Sequence, residues 1–281
     1  MIVAETIADV KKYVKEWKKN GETIGLVPTM GYLHEGHASL IKKAREQNDR
    51  VVVSDFVNPT QFGPNEDLEQ YPRDFEADKK LCAGLGADLI FHPTPEEMYG
   101  KDHFTKVHVD TLTAGLCGAV RPVHFDGVCT VVTKLFHIAE ADRAYFGQKD
   151  AQQLAVVKRM VHDLNYNIEI VGCPIVREAD GLAKSSRNTY LSPEERKAAV
   201  ILSASLKEGK KAIDAGEKDL KKITDIITKK LETEPLARID YVSAVDFNLL
   251  QPKDRLDGEE TLIAIAVYIG KTREIDNIIV R

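Results

Sequence analysis

Cysteine is scarce in this sequence, and the few cysteines form no close pair. Cys82, Cys117, Cys129 and Cys173 lie far apart, with no C-x-x-C spacing. This spacing excludes a zinc ribbon and a thioredoxin-like redox motif, and a chain of 281 residues is too long to be a typical disulfide scaffold. We therefore expect reduced, mostly buried thiols.

Long apolar runs and a leader segment are also missing. No segment approaches the roughly 20 apolar residues that are needed to span a bilayer. The N-terminus, Met-Ile-Val-Ala-Glu-Thr, lacks the basic stretch and the apolar run of a signal peptide. The sequence therefore predicts a cytoplasmic protein with no membrane partner.

An excess of basic charge is missing as well. Lysine and arginine number 39 against 44 aspartates and glutamates, a net charge of −5, whereas a nucleic-acid-binding domain usually leaves a basic footprint. We therefore expect no nucleic-acid partner. The rest of the composition is that of an ordinary soluble globular protein, and the length suits two domains.

Strand-like and helix-like segments alternate through the first part of the chain. Apolar residues at helical spacing predict helices over residues 7–19, 37–45, 75–84, 128–139 and 150–164. Short apolar runs predict strands, covered on both faces, over residues 23–29, 49–57, 87–91, 142–146 and 167–171. This alternation predicts an α/β fold with a Rossmann-like, doubly wound parallel sheet and right-handed crossovers.

The pattern changes after Pro174. Two consecutive helices, 193–215 and 218–231, precede three strand-like runs without helices between them, 238–245, 261–269 and 275–280. That order predicts a smaller α+β domain with an antiparallel sheet. We therefore expect a first domain over 1–174 and a second over 175–281.

The strongest local signal is a strand, a turn and two histidines in the segment Met30-Gly-Tyr-Leu-His-Glu-Gly-His37. Positions three apart share a helix face, so both imidazoles can point at one ligand. The first turn of a helix adds unpaired N–H groups and the positive end of the helix dipole, which suit phosphate. Gly36 lets a flat base approach the backbone. Imidazoles that donate to phosphoryl oxygens would stabilise the charge growing on a leaving pyrophosphate.

Spacing alone leaves two alternatives open for the histidine pair. A metal site is one, although His-x-x-His without a clear third and fourth ligand is weak for zinc. The second is a purely structural helix start. A P-loop is excluded because no G-x-x-x-x-G-K-[S/T] occurs.

Two further segments carry groups suited to phosphate. Phe146-Gly-Gln-Lys-Asp150 follows a predicted strand, where ligands bind in open α/β sheets. Lys149 there offers a point charge and Asp150 a helix cap. Asp180–Asn188 places two cations and two hydroxyls in four residues, Lys184 to Arg187, which can clamp phosphates. Taken alone, the first segment also fits a solvated turn and the second a polar linker.

Together these segments resemble the pantothenate synthetase, or pantoate–β-alanine ligase, family. The resemblance runs in order through essentially the whole chain. The motifs that carry it are Pro28–His37, Phe56–Gly63, Tyr71-Pro-Arg73, Tyr145–Asp150, Gln153, Arg177–Asn188 and Tyr190-Leu-Ser192. His-x-Gly-His by itself is typical of the wider nucleotidyltransferase and class I synthetase superfamily, whereas the full set is specific to the one family.

The resemblance implies a ligase that uses pantoate, β-alanine and ATP with Mg²⁺, and acts as a homodimer. Pantoate would attack the α-phosphorus of ATP to give pantoyl adenylate and pyrophosphate, and the amine of β-alanine would then displace AMP. It implies four catalytic residues, with His37 as the proton donor: His34, His37, Lys149 and Arg187.

The resemblance also implies the binding residues. Gln61 would hold pantoate and border the β-alanine site, and Gln153 would hold pantoate from the other side. The second domain would close over the triphosphate with Lys184–Arg187, and no metal ligand is assigned. The implied ATP-binding residues are Met30, Gly31, Tyr32, Leu33, His34, Glu35, Gly36, His37, Gly147, Gln148, Lys149, Asp150, Val176 (through its backbone), Lys184, Ser185, Ser186 and Arg187.

The chain departs from the family pattern at two positions. Val123 stands where the family commonly has glycine, and Lys184 where many relatives have methionine. Lysine there is expected to add a phosphate contact. Three other classes remain to be distinguished: a nucleotidyltransferase that adenylylates a cofactor precursor, a short tRNA synthetase relative, and a non-catalytic nucleotide-binding module.

Overall fold

The computed structural model describes residues 1–64 and 66–281. The chain divides into two compact units. The first unit comprises Met1–Gln148 and Val156–Pro174, and the second unit comprises Lys149–Ala155 and Ile175–Arg281. The start of one helix is therefore grouped with the second unit and the rest of that helix with the first.

The first unit is built on a six-stranded sheet in which every strand pairing is parallel, as the alternating pattern predicts. The order across the sheet is β1-β4-β3-β2-β5-β6. The apolar side chains of β2 and β3 are buried, as expected for strands covered on both faces; they are Ile24, Leu26 and Val27 in β2 and Val51, Val52 and Val53 in β3. The strands are β1 Ile2–Ala4, β2 Ile24–Thr29, β3 Arg50–Asp55, β4 Leu89–Phe91, β5 Arg143–Gly147 and β6 Glu169–Cys173.

Helices connect these strands and cover the sheet with their apolar faces. In the first of them, Val10, Val14 and Trp17 recur at helical spacing and are buried, and the Thr6 hydroxyl caps the helix by accepting from the Asp9 N–H. The helices are α1 Ile7–Lys19, α2 Glu35–Gln47, α3 Phe75–Gly84, α4 Pro95–Tyr99, α5 Cys117–Val120, α6 His124–Ala139 and α7 Ala151–Asp163.

The second unit packs three helices against a three-stranded antiparallel sheet, which confirms the predicted α+β unit. The helices are α8 Pro193–Ala198, α9 Ile201–Asp214 and α10 Leu220–Leu231, and the strands are β7 Ala237–Asp246, β8 Thr261–Ile269 and β9 Thr272–Val280. The predicted single helix 193–215 is wrong. At the break, backbone hydrogen bonds span three residues instead of the four of an α-helix: Val200 N donates to Lys197 O, and Leu202 N donates to Ala199 O. These bonds divide the segment into two helices.

The four cysteines are free thiols, and three of them are buried. Burial raises the pKa of Cys82 and of Cys129 to about 12, so both stay protonated at neutral pH. Within residues 1–64 and 66–281, no helix has both the length and the apolar composition that a membrane crossing requires.

Candidate active site

His34 and His37 lie at the start of α2 in the first unit. The helix begins at Glu35 rather than at His37 as predicted, because His34 is its N-cap. The two imidazole rings are stacked loosely, with centroids 4.1 Å apart and planes tilted by 35°. The expectation that both rings share one face of the helix start is therefore correct.

The backbone fixes which nitrogen of each imidazole carries the proton. The Gly36 N–H donates to Nδ1 of His34 at 3.1 Å, and the His34 N–H donates to Nδ1 of His37 at 3.2 Å. Since Nδ1 accepts in both rings, a neutral imidazole here carries its hydrogen on Nε2. The helix-capping role and the phosphate-donor role are thus compatible: Nδ1 serves the cap, and Nε2–H remains the donor end of each ring.

A buried carboxylate shapes the turn before the histidines. Asp78 on α3 accepts the backbone N–H groups of Tyr32 at 2.6 Å and of Leu33 at 2.7 Å. Gly31 and Tyr32 both have positive φ, +78° and +51°. A Cβ on Gly31 would come within 2.4 Å of Oδ1 of Asp55, so glycine is required by space as well as by conformation.

Asp78 belongs to a group of titratable side chains under this turn. Burial, followed by the nearby charge of Asp55, raises the pKa of Asp78 to about 6, although the Tyr32 and Leu33 N–H groups oppose the shift. His92 Nδ1 lies 2.9 Å from the Asp55 carbonyl oxygen and 3.7 Å from the Asp55 carboxylate. The interaction with that carboxylate is the main cause that raises the pKa of the imidazole. Sequence reasoning missed Asp78. Its spacing of four from the buried Cys82 on the same helix was the available signal.

Gln61 lies in a 3-10 turn, Pro59–Gln61, after β3, and is 6% exposed. Its side-chain amide donates to the Met30 sulfur at 3.1 Å, and its Oε1 accepts from Nδ2 of Asn58 at 3.0 Å. The first unit therefore brings two residues of the predicted site, Met30 and Gln61, into direct contact.

A glycine on the helix α6 lets this 3-10 turn approach closely. A Cβ on Gly127 would lie 2.5 Å from the Cα and from the backbone nitrogen of Gln61. The His124 ring nitrogen Nδ1 also lies 3.0 Å from the Gln61 carbonyl oxygen. Val123, at the position where the family commonly has glycine, has φ −94° and ψ −12°, so valine is accommodated there without strain.

The predicted segment at the end of β5 is divided between the units. Gly147 and Gln148 belong to the first unit, and Lys149 and Asp150 to the second. Gln148–Asp150 forms a 3-10 turn that leads into α7, so the helix begins one residue later than predicted. In the second unit, the Asn277 side chain donates to the Lys149 carbonyl at 3.0 Å. Asp150 is exposed, and Gln153 on α7 is half-buried.

The remaining predicted residues form a hairpin-like loop in the second unit. Lys184 N donates to Val176 O at 2.9 Å, and Arg177 pairs with Ala183 in an isolated bridge. The Ser185 hydroxyl then caps the 3-10 turn Ser186–Tyr190 by accepting from the Arg187 N–H at 3.3 Å. The loop therefore has a defined backbone and is not the unstructured linker that its polarity alone would allow.

Ion pairs anchor this loop to the second unit. Arg177 makes two bonds to the buried carboxylate of Asp276 on β9, at 2.6 and 2.8 Å. Lys184 Nζ lies 3.9 Å from Glu178, which also accepts from Arg196 at 2.8 Å. Of the two cations in the segment 184–187, Lys184 thus lies near an acid of its own unit.

A protein-built metal centre was one alternative for the histidines. The described part of the chain contains no group of three or more histidine, cysteine, aspartate or glutamate side chains able to hold a metal ion. The cap geometry instead commits Nδ1 of both rings to backbone N–H groups.

Comparison with known proteins gives one consistent result. The family model described as pantoate-beta-alanine ligase matches residues 2–279. A pantothenate synthetase of Clostridium botulinum is 61% identical over 277 residues, covering 99% of this chain and 98% of its own. A pantothenate synthetase structure from Thermus thermophilus superposes with a TM-score of 0.94 at 44% identity, covering 99% of each chain.

A second solved structure contains ligands. It is a pantoate-beta-alanine ligase from Francisella tularensis complexed with beta-gamma ATP and beta-alanine. It has a TM-score of 0.80 to this chain at 35% identity, and the match covers 99% of this chain and 97% of that one.

Proposed function

Because the chain belongs to the pantoate–β-alanine ligase family, we propose that it makes pantothenate through a pantoyl adenylate intermediate formed from ATP. The chain is an ATP-dependent ligase of pantoate and β-alanine, and its membership of this family supports the pantoyl adenylate as the intermediate. The structural observation that carries the proposal is the pair His34 and His37, whose Nδ1 atoms accept backbone N–H groups so that Nε2–H is the donor.

In the first step, a carboxylate oxygen of pantoate attacks the α-phosphorus of ATP. The bond from that phosphorus to the bridging oxygen breaks, and pyrophosphate leaves with the electron pair. Negative charge grows on the departing oxygens, so N–H donors fixed at a helix N-terminus stabilise the transition state more than the ground state. We assign His34 and His37 to this task, with His37 as the proton donor.

In the second step, the amine of β-alanine attacks the acyl carbon of the adenylate. The acyl–oxygen bond breaks, AMP leaves with that oxygen, and the amine loses a proton as the amide forms. Gln61 is proposed to hold pantoate and to border the β-alanine site. Its side chain is held in place by Asn58 and Met30 and is almost fully buried, so its orientation is fixed before substrate arrives. Gln153 is proposed as a second pantoate contact.

The remaining residues are proposed to bind ATP. The turn Met30–Leu33 and Gly36 lie close to the helix start and are proposed to line the nucleotide, while the N–H groups of Tyr32, Leu33 and Gly36 donate to Asp78 and His34. Gly147 and Gln148 are proposed as further contacts. In the second unit, Lys149 and Arg187 are assigned to the phosphates as catalytic residues. The other proposed ATP contacts are Glu35, Asp150, Val176, Lys184, Ser185 and Ser186. The Val176 carbonyl already accepts from Lys184 N, so its backbone N–H is the group assigned to the nucleotide.

Mg²⁺ is proposed to arrive with ATP as its counter-ion. Magnesium usually keeps several waters and is held by substrate phosphates with one or two carboxylates. Asp150, which presents an exposed carboxylate next to Lys149, is a residue that would fit this mode. The ion would neutralise part of the negative charge of the phosphates. The family resemblance also supports a homodimer and a cytoplasmic location.

Oxygen labelling tests the intermediate directly. Pantoate carrying ¹⁸O in its carboxylate should transfer one labelled oxygen to AMP in each turnover, because the attacking oxygen leaves with AMP. Mass spectrometry of AMP and pyrophosphate measures the transfer. Label in pyrophosphate or phosphate, or none in AMP, would contradict the adenylate.

A further inference from the structure

Glu274 is a buried carboxylate that the proposed mechanism does not use. It lies on β9 in the second unit and is 2% exposed. Its Oε1 is buried and makes no hydrogen bond to any described residue. The residue directly opposite on β8 is Val267, a member of the apolar core of this unit. A charged group is unfavourable in such a place unless other charges or a ligand compensate it.

Two cations of the proposed ATP site supply that compensation. The positive charges of Lys149, from the turn before α7, and of Arg187, from the 3-10 turn Ser186–Tyr190, both act on Glu274. The third charged group acting on it is Asp276, two residues along the same strand, which is engaged in its ion pair with Arg177. Glu274 is therefore acted on by two cations that the proposed function assigns to the phosphates of ATP.

A side chain of β9 also bonds to the main chain of one of these two residues. Asn277, three residues after Glu274, donates its side-chain N–H to the Lys149 carbonyl at 3.0 Å. The main chain of Lys149 is thus tied to the strand that carries the Glu274 carboxylate.

We propose that Glu274 is a positioning residue, a built-in counter-charge for Lys149 and Arg187 that gives way to the phosphates of ATP. This inference rests on the proposed function, because it takes both cations as ATP contacts. In the empty enzyme, at a pH above the raised pKa of Glu274, the ionised carboxylate offsets the two positive charges. When the phosphates arrive, the same cations are neutralised by ATP, and a second negative charge beside them becomes unfavourable.

The consequence is a proton linked to ATP binding. Burial raises the pKa of Glu274, the charges of Lys149 and Arg187 oppose that shift, and Asp276 adds to it. ATP cancels the opposing charges, so the pKa of Glu274 in the complex lies above its value in the empty enzyme. ATP binding then takes up a proton, and the affinity for ATP falls as the pH rises between these two pKa values.

Calorimetry with ATP and saturating magnesium, without pantoate so that no turnover occurs, tests this. Titrations in PIPES and in Tris at several pH values between 6 and 8.5 give the number of protons taken up from the buffer dependence of the heat. The wild-type enzyme should take up more protons at its maximum than Glu274→Gln and Glu274→Leu do. Both variants should bind ATP more tightly than the wild type at pH 8.5, with the ratio shrinking on acidification.

Two neutral variants are used so that the test stays decisive if one of them folds poorly. Glutamine preserves the shape of the glutamate side chain, and leucine suits the apolar core beside residue 274. Glu232→Gln, at an exposed position after α10, is the matched control and should behave as wild type. Equal proton uptake in the wild type and both variants, or weaker ATP binding in both, would overturn the inference. Lys149→Ala distinguishes a failure of the proposed function from a failure of this inference. Unchanged ATP binding in Lys149→Ala would refute the proposed role of Lys149 as an ATP contact. Weakened ATP binding in Lys149→Ala, together with wild-type proton uptake in both Glu274 variants, would refute only the counter-charge role of Glu274.

Discussion

Replacing Asp78 by asparagine is expected to slow adenylation while leaving the protein folded. The Asp78 carboxylate accepts two consecutive N–H groups, from Tyr32 and Leu33, in the turn that leads into His34. Asparagine has the same shape but only one accepting oxygen, and its NH₂ group would face the second N–H. The turn must shift to relieve that contact, and the N-cap of α2 shifts with it.

The effect on stability is a balance of two opposing contributions. One buried N–H loses its acceptor, which costs about 1–3 kcal/mol. Against this, the pKa of Asp78 is about 6 in the folded chain, above its ordinary value of 3.8. Stability contributed by this group is therefore present at low pH and lost as the pH rises through about 6, and asparagine removes that loss. We expect the free energy of unfolding at pH 7.5 to change little.

For the rate of adenylation, no second contribution offsets the loss caused by Asp78→Asn. Misplacing a catalytic group by about 1 Å can cost about 100-fold, and losing one transition-state donor costs about 10²–10³-fold. Because the turn is displaced rather than removed, we expect the pantoate-dependent exchange of pyrophosphate into ATP to fall by about 10- to 100-fold. The fall should persist at saturating ATP, which places it in kcat rather than in KM alone.

The matched control is Asp74→Asn, one turn earlier on the same helix. Asp74 is exposed and caps α3 by accepting from the Ala77 N–H at 3.1 Å, a role that asparagine fills equally well. This variant should retain the wild-type exchange rate. A second readout is pH: the wild-type rate should fall as Asp78 protonates below about 6, and Asp78→Asn should lack that part of the decline. An exchange rate within about twofold of wild type in a folded Asp78→Asn enzyme would refute the role of Asp78 in positioning the turn before His34.

Three further substitutions test other parts of the site. His37→Ala should slow adenylation by about 10²–10³-fold with a smaller effect on binding of preformed pantoyl adenylate, and an unchanged single-turnover rate would remove His37 from its role. Gly31→Ala, where φ is +78° and the new Cβ would meet Oδ1 of Asp55 at 2.4 Å, should destabilise the fold by about 1–3 kcal/mol in urea unfolding; wild-type stability would contradict this. Gly127→Ala should push the Gln61 backbone aside and raise KM for pantoate at least as strongly as KM for ATP; a rise confined to ATP would speak against Gln61 as a pantoate contact.

Much of the fold could be predicted because its signals are local. The apolar runs of β2 and β3 and the helical spacing of Val10, Val14 and Trp17 are each contained within one element. The short edge strand Ile2–Ala4 escaped prediction because three residues carry no periodicity, and it exists only through its pairing with β4. The break between α8 and α9 escaped for a similar reason: neither proline nor glycine marks it.

The site divides in the same way. The histidines, Gln61 and the 184–187 cations could be proposed as site residues from the sequence because their motifs are contiguous and resemble one family. Asp78 and Glu274 could not, because their importance depends on what lies opposite them after folding. In sequence, Asp78 is one of several acids on a polar helix. The predicted last strand began at residue 275 and so did not include Glu274. In the structure, β9 begins at Thr272 and includes it.

In the proposed mechanism, pantoate is activated on ATP before the amine of β-alanine takes part. Isotope exchange between labelled pyrophosphate and ATP measures this step in isolation. We expect exchange that requires pantoate and proceeds without β-alanine. Exchange without pantoate, or no exchange when pantoate, ATP and Mg²⁺ are all present, would contradict it.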